Sequence, residues 1–397
     1  MRSMVWALGS LAVAAGLVFG APAVAYDGIV EKKVFEMPSY TTQGGETIKT
    51  VRIGWESYGT LNAAKDNVIL VTHYFSGNSH AAGRYKEDDK ARGYWDAIIG
   101  PGKPLDTDKY FVISSDTLVN LGAKDPNVVT TGPASINPDT GKPYGMSFPV
   151  VTIRDFVEVQ KALLDSLGVK SLHAVMGASM GSLQAFEWGA AHPEMVKRVI
   201  PVIGGAESNA FLIAWLNVWA APIKLDANWN NGDYYGKAEP VKGLAEALKV
   251  VTLQANYWQW FDGKFGRKAA EPGKDPRAAM ANQFEVEAFL DKAATARAAT
   301  SDANHFLYLV KANQTFVTGH GASLADGLAK LTMPVLLIPS AHDIVFFPDE
   351  NMRALKDTLG KTTRVEYSEA ITGPMGHLDG LFNIAKAGDV IAKFLAE

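Results

Sequence analysis

An α/β fold, with a mostly parallel central sheet covered by helices on both faces, is what this sequence predicts, and three observations predict it. Short apolar runs rich in Val, Ile and aromatic residues alternate with stretches of helical periodicity. The segment Gly177-Ala178-Ser179-Met180-Gly181 stands between a strand-like run and a helix-like run. One interval between late strands is far longer than the ~2 to 6 residues of an ordinary connection in such folds, which marks an insertion.

In chain order, the first residues fall outside the expected fold. Arg2 followed by an apolar run from Met4 to about Gly20, then Ala23-Val24-Ala25, has the layout of a secretory signal peptide cleaved after Ala25. The run is shorter than the ~20 residues of a spanning helix, so a secreted or periplasmic protein without a membrane anchor is expected. The predicted strands are Lys49 to Gly59, Val68 to Phe75, Tyr110 to Ser115, His173 to Gly177, Arg198 to Gly204, Pro334 to Ser340 and Arg364 to Ala370. Thr152-Ile153-Arg154-Asp155 reads as a capping box, and Phe156, Val157, Ala162, Leu163 and Leu167 continue a helix up to Gly168. A further helix is expected over Ser182 to Ala191. The domain division that follows is a core over 26–205, a helical lid over 206–328 and the rest of the core over 329–397. The lid carries Trp215, Trp219, Trp229, Trp258 and Trp260, candidates for packing or for an apolar acyl pocket. Asn228 to Gly236 and Gly263 to Pro276 read as long turns.

Composition narrows the function classes. Among 397 residues, 47% are apolar and 20% charged, and the net charge of -4 comes from well-mixed acids and bases, so nucleic acid is not an expected partner. No cysteine is present, which excludes disulfides, thiolate metal sites and a cysteine nucleophile. No metal cluster, dinucleotide fingerprint or phosphate loop appears, so no cofactor is expected.

The chemistry centres on Ser179. Gly-x-Ser-x-Gly between a strand and a helix is a nucleophile elbow, where small neighbours let a strained turn lift the hydroxyl for attack. A serine hydroxyl is a poor nucleophile at neutral pH, so a histidine must take its proton and a carboxylate must orient that histidine. The order Ser, acid, His assigns Asp343, just past the strand-like Pro334 to Ser340, and His377, in the loop after the last strand. Asp349, placed to cap a helix over Glu350 to Leu359, and Asp326 are weaker candidates for the acid. His173, His192, His305 and His320 carry no catalytic mark, and His73 is a stiffener of its loop. An oxyanion needs preorganised donors, expected to be the backbone N-H groups of Met180 and of Phe75 in the loop His73-Tyr74-Phe75-Ser76-Gly77. The whole constellation is that of an α/β-hydrolase fold.

Over nearly all of the mature chain the residues resemble the homoserine O-acetyltransferase branch of the α/β-hydrolases. The resemblance is carried by Tyr94-Trp95-Asp96, Ile99-Gly100-Pro101-Gly102-Lys103, Asp106 to Ile113, Ser135-Ile136-Asn137-Pro138, Gly141 to Gly145, Phe148 to Asp155, Gln184 to Trp188 and Gln283 to Glu287. It implies a serine acylated by acetyl-CoA, a homoserine hydroxyl as acceptor, and dimers formed through the lid. It also points to Tyr74, Asn256, Tyr257 and Asp379 as substrate contacts. On the acceptor side the chain departs from the pattern. Leu248 stands where the family usually has an arginine, Gln254 to Tyr257 aligns with a second arginine-bearing segment, and Leu378 replaces an aspartate after the histidine. An amino-acid carboxylate is best held by a bidentate guanidinium. With acetyl-CoA and homoserine being cytoplasmic, these departures make water the expected acceptor. The expected protein is a secreted carboxylic ester hydrolase working through an acyl-enzyme on a small-molecule ester. O-acetyl transfer to a small hydroxy amino acid is the alternative, and a binding protein that lost the chemistry is a third reading.

Overall fold

The computed structural model describes residues 28–321 and 323–397, so the expected export segment lies outside the described residues. An eight-stranded sheet forms the centre. Its strands are β1 (Lys33–Thr41), β2 (Thr47–Tyr58), β3 (Val68–Thr72), β4 (Phe111–Ser115), β5 (Leu172–Ala178), β6 (Val199–Val202), β7 (Val335–Leu337) and β8 (Val365–Tyr367). They run in the order β1-β2-β4-β3-β5-β6-β7-β8. The β1-β2 and β2-β4 pairs are antiparallel and every later pair is parallel. The parallel strands β3, β4 and β6 are buried along their whole length, which is why they read as continuous apolar runs.

Two differences from the sequence reading concern this sheet. β1 was not anticipated: as an edge strand it alternates half-buried and exposed positions and carries Lys33, Glu36 and Ser39, so its apolar signal is diluted. The strands are also shorter than their apolar runs. β3 stops at Thr72, and His73 to Phe75 already belong to a loop, because the chain there turns to meet the helix after the elbow.

The helix α1 (Ile153–Ser166) opens on the expected box: Asp155 N-H donates to Thr152 Oγ1 (3.4 Å), and Asp155 Oδ2 accepts from Thr152 N-H (2.7 Å). α2 (Met180–Ala191) follows the elbow directly, two residues earlier than expected. Between β6 and β7 stand α3 (Ala210–Leu225), α4 (Val241–Ala255), α5 (Trp258–Phe265), α6 (Glu285–Ala298), α7 (Ala303–Gln314) and α8 (Leu324–Leu328). α4 packs against α3 and α6, and α3 also packs against α7. The long turn expected from Gly263 begins later, since α5 continues to Phe265 and Gly266 then takes φ 53°. No helix among the described residues is long and apolar enough to cross a membrane.

After β7, a π turn over Asp349–Arg353 runs into α9 (Ala354–Leu359). Asp349 does not cap that turn as expected. It lies inside the first turn and pairs with Arg353 (2.7 Å), because Pro348 takes the preceding position. α10 (Asp379–Phe382) and α11 (Gly388–Ala396) close the chain, the latter packing Ile391, Phe394 and Leu395 onto the sheet face that α2 does not cover.

Candidate active site

The loops beyond the carboxyl ends of β3, β5, β7 and β8 each deliver one part of the site. Ser179 follows β5 with φ 57° and ψ -120°, a backbone state that costs a non-glycine residue roughly 1–3 kcal/mol. Its neighbours have no room for side chains. A Cβ on Gly177 would lie 2.0 Å from Thr72 Oγ1 and 2.3 Å from Gly181 O, and one on Gly181 would lie 2.1 Å from Thr72 O. The crowding is the elbow fastened to the loop after β3: Thr72 Oγ1 donates to Gly181 O (2.8 Å), and Gln184 Nε2 donates to His73 O (3.2 Å).

His377 reaches the serine from the loop after β8. Its Nε2 lies 2.9 Å from Ser179 Oγ and its Nδ1 lies 2.8 Å from Asp343 Oδ2. Both His377 and Asp343 are buried. The second carboxylate oxygen, Oδ1, accepts the N-H groups of Val345 (2.7 Å) and Phe346 (3.1 Å), which fixes the plane of the acid. Phe346 stacks on the imidazole at 5.8 Å, and Ser340 Oγ donates to Gly376 O (2.7 Å), tying the acid loop to the histidine loop. The arrangement can pass a proton from the serine to the imidazole while the carboxylate holds the cation that forms.

Met180 opens α2, so its N-H has no intrahelical acceptor. Phe75 is held beside the elbow by the Thr72 and His73 bonds, with its ring edge-on between Trp219 (5.4 Å) of α3 and Phe306 (5.2 Å) of α7. Of the lid tryptophans, Trp219 is buried here while Trp258 stands exposed.

His73 is a neutral linchpin. Its Nδ1-H donates to Tyr74 O (2.8 Å) and its Nε2 accepts from Asn120 Nδ2 (3.2 Å), so protonating Nε2 would set two donors against each other. Burial pulls its pKa from 6.5 down to about 4. Between those values the unfolded chain binds a proton that the folded chain refuses, so stability rises with pH and is lost on acidification, by up to about 3 kcal/mol. Urea unfolding from pH 7 down to pH 4 is expected to show a steeper loss in the wild type than in His73→Gln; parallel curves would refute this.

The substrate contacts implied by resemblance each have partners within the protein. Asp379 is fully buried. Its Oδ2 accepts the Met375 and Gly376 N-H groups (3.0 Å each), and its Oδ1 accepts from Asn383 (2.5 Å), so it braces the loop that carries His377. Three of the roughly four acceptor positions of the carboxylate are thus taken within the protein. Asp379→Ala would strand the buried Gly376 N-H and the half-buried Met375 N-H and cost about 2–4 kcal/mol, read as a drop in the urea midpoint together with slower turnover. An unchanged midpoint would refute the bracing role. Tyr257 likewise stacks on His342 at 4.6 Å and donates its N-H to Met375 O, packing outside the acid and histidine loops. Asn256 is buried, with Nδ2 bonded to Thr252 O (2.8 Å) and Oδ1 unpartnered. Tyr74 follows His73 into the site loop, edge-on to Tyr94 at 5.3 Å, and burial raises its hydroxyl pKa while the Arg297 guanidinium opposes that rise.

Arg297 is a residue that the sequence reading missed. It lies in the last turn of α6, and its Nη1 donates to Thr252 Oγ1 (2.9 Å) on α4. Nothing in the local sequence marks it, since only helix packing brings it to α4. Asp326 lies in the first turn of α8, bonded to Ser323. Among the described residues no group of three or more His, Asp or Glu side chains is arranged to hold a metal ion.

Fold and site define an enzyme of the α/β hydrolase superfamily, and residues 102–380 match the alpha/beta hydrolase fold family. Within that superfamily, the chain belongs to the homoserine O-acetyltransferase family. Homoserine O-acetyltransferase of Methanococcoides burtonii is 40% identical over 90% of this chain and 71% of its own length. The crystal structure of homoserine O-acetyltransferase from Bacillus anthracis superposes with a TM-score of 0.88 at 36% identity, covering 93% of this chain and 98% of that one. The crystal structure of esterase E22 superposes with a TM-score of 0.87 at 50% identity, covering 92% of this chain and all of that one.

The expectation of an ester hydrolase is overturned by the homoserine O-acetyltransferases that match along the chain. That expectation rested on missing arginines at positions of α4 and its end, on Leu378 in place of an aspartate after His377, and on an export segment. The expected export segment lies outside the described part of the chain.

Proposed function

We propose that this enzyme is an O-acetyltransferase that moves an acetyl group from acetyl-CoA to the hydroxyl of a small hydroxy amino acid, homoserine being the first candidate. The observation that carries this reading is the bonded chain Ser179–His377–Asp343 at the strand ends of a chain whose relatives bear that activity. Ser179 Oγ attacks the thioester carbonyl as His377 Nε2 takes its proton, and the N-H groups of Phe75 and Met180 hold the oxyanion. The C–S bond breaks, the thiolate takes the proton from His377, and the acetyl ester on Ser179 remains. The acceptor hydroxyl then gives its proton to His377 and attacks the ester. The C–O bond to Ser179 breaks, and the proton returns to Oγ.

The test is incubation with acetyl-CoA and homoserine while O-acetylhomoserine, free acetate and free thiol are followed together. Acetylated acceptor formed in step with thiol is the expected result. Acetate released at a rate indifferent to homoserine would overturn the reading. Phe211, Ile213, Val218 and Leu225, exposed on α3, support the dimer implied by resemblance, which light scattering of the purified protein would test.

A further inference from the structure

Phe75, the expected source of one oxyanion donor, sits in a turn closed by Gly77 N-H donating to Tyr74 O (2.9 Å). That bond shapes the turn but does not fix where it stands. The bonds from the elbow side reach Thr72 and His73 and stop short of it. Asn120, in the loop after β4, grips both of its ends. Its Nδ2 donates to Gly77 O (3.1 Å) on one side and to His73 Nε2 (3.2 Å) on the other. His73 Nδ1-H passes the hold on to Tyr74 O (2.8 Å), the carbonyl that closes the turn.

Asn120 is itself fully buried, and its polar atoms are all used. Its Oδ1 accepts Gly122 N-H (3.0 Å), so the amide can only present its NH2 group to the turn. Its own N-H donates to Thr130 Oγ1 (3.0 Å), and its carbonyl accepts from His305 Nδ1-H (2.8 Å) in the first turn of α7. Two more bonds fasten the same loop to the insertion, Asp302 N-H to Leu121 O (3.1 Å) and Lys124 N-H to Thr300 O (3.1 Å). A buried network satisfied at every member holds one arrangement rigidly.

We propose that Asn120 is a positioning residue for acyl transfer, gripping both ends of the turn so that the Phe75 N-H meets the oxyanion. The assignment rests on the oxyanion role of Phe75 in the reading above. It acts on acylation of Ser179, the step that any acceptor shares, where charge develops on the carbonyl oxygen as Oγ bonds to the acyl carbon.

The test follows 4-nitrophenolate release from 4-nitrophenyl acetate in the first turnover, with active sites counted by intact mass after complete reaction with a fluorophosphonate. Asn120→Asp keeps the shape and the acceptor for Gly122 N-H but sets an oxygen against Gly77 O and His73 Nε2. It is expected to slow acylation per counted site by roughly 10- to 100-fold, with the ester concentration for half-maximal rate unchanged. Asn120→Ala, which removes both bonds without adding an oxygen, is expected to slow it likewise. Thr130→Val is the control, since it strands the Asn120 N-H and lowers the urea midpoint but leaves the amide grip and the rate per site intact. Wild-type rates per site in both Asn120 variants, loss of countable sites in both, or an equal slowing in Thr130→Val would make the residue structural and overturn the proposal. If wild-type enzyme makes only acetate from acetyl-CoA while Asn120→Asp still slows acylation, transfer fails and the positioning role stands. If O-acetylhomoserine forms and both Asn120 variants acylate at the wild-type rate, the positioning role alone fails.

Discussion

Ser179→Ala is expected to lower acetyl transfer by roughly 10⁶-fold, the scale seen when one member of a serine-histidine unit is removed. The reason is local. His377 Nε2 faces Ser179 Oγ at 2.9 Å, and no other hydroxyl is bonded to that nitrogen among the described residues. The acetyl group then has no protein atom to occupy between donor and acceptor. Intact mass after exposure to an organophosphorus reagent gives the same answer without a substrate: a single adduct on the wild type and none on the variant. Turnover retained by the alanine variant would refute the mechanism.

Gly181→Ala is the second large effect. The new Cβ would stand 2.1 Å from Thr72 O and 2.8 Å from Thr72 C, which are backbone atoms that cannot swing aside. Either α2 or the loop after β3 must move, and both carry an expected oxyanion donor, Met180 on one side and Phe75 on the other. Losing one such donor costs about 2.7–4 kcal/mol of barrier, a drop of roughly 10² to 10³ in turnover. Gly263→Ala is the control, because its Cβ would meet nothing within 4 Å. Equal turnover in the two variants would show that the close approach at the elbow is dispensable.

What could be read from the sequence was whatever a short stretch determines by itself. The parallel strands announced themselves because both faces are buried, and Thr152 with Asp155 formed the box that their spacing implied. Ser179 was visible because its turn demands small neighbours on both sides. β1 was obscured by its half-exposed alternation, and Asp349 by a proline that displaced it from the cap. The bracing role of Asp379 was not legible because its backbone partners are N-H groups three and four residues behind it, brought round only when the loop closes. Arg297 was invisible because its meeting with Thr252 depends on two helices packing 45 residues apart.

Phe75 gives the inserted helices a hold on the reaction rate. Its ring is gripped by Trp219 and Phe306, one from α3 and one from α7, while its own backbone sits in the loop beside the nucleophile. Catalytic tuning and ligand choice therefore share one mechanical support. A bulky acyl chain that pried the two helices apart would slow its own transfer even after binding well, so size discrimination would emerge in kcat more than in KM. Exchanging this insertion between related enzymes would, for the same reason, move speed along with selectivity.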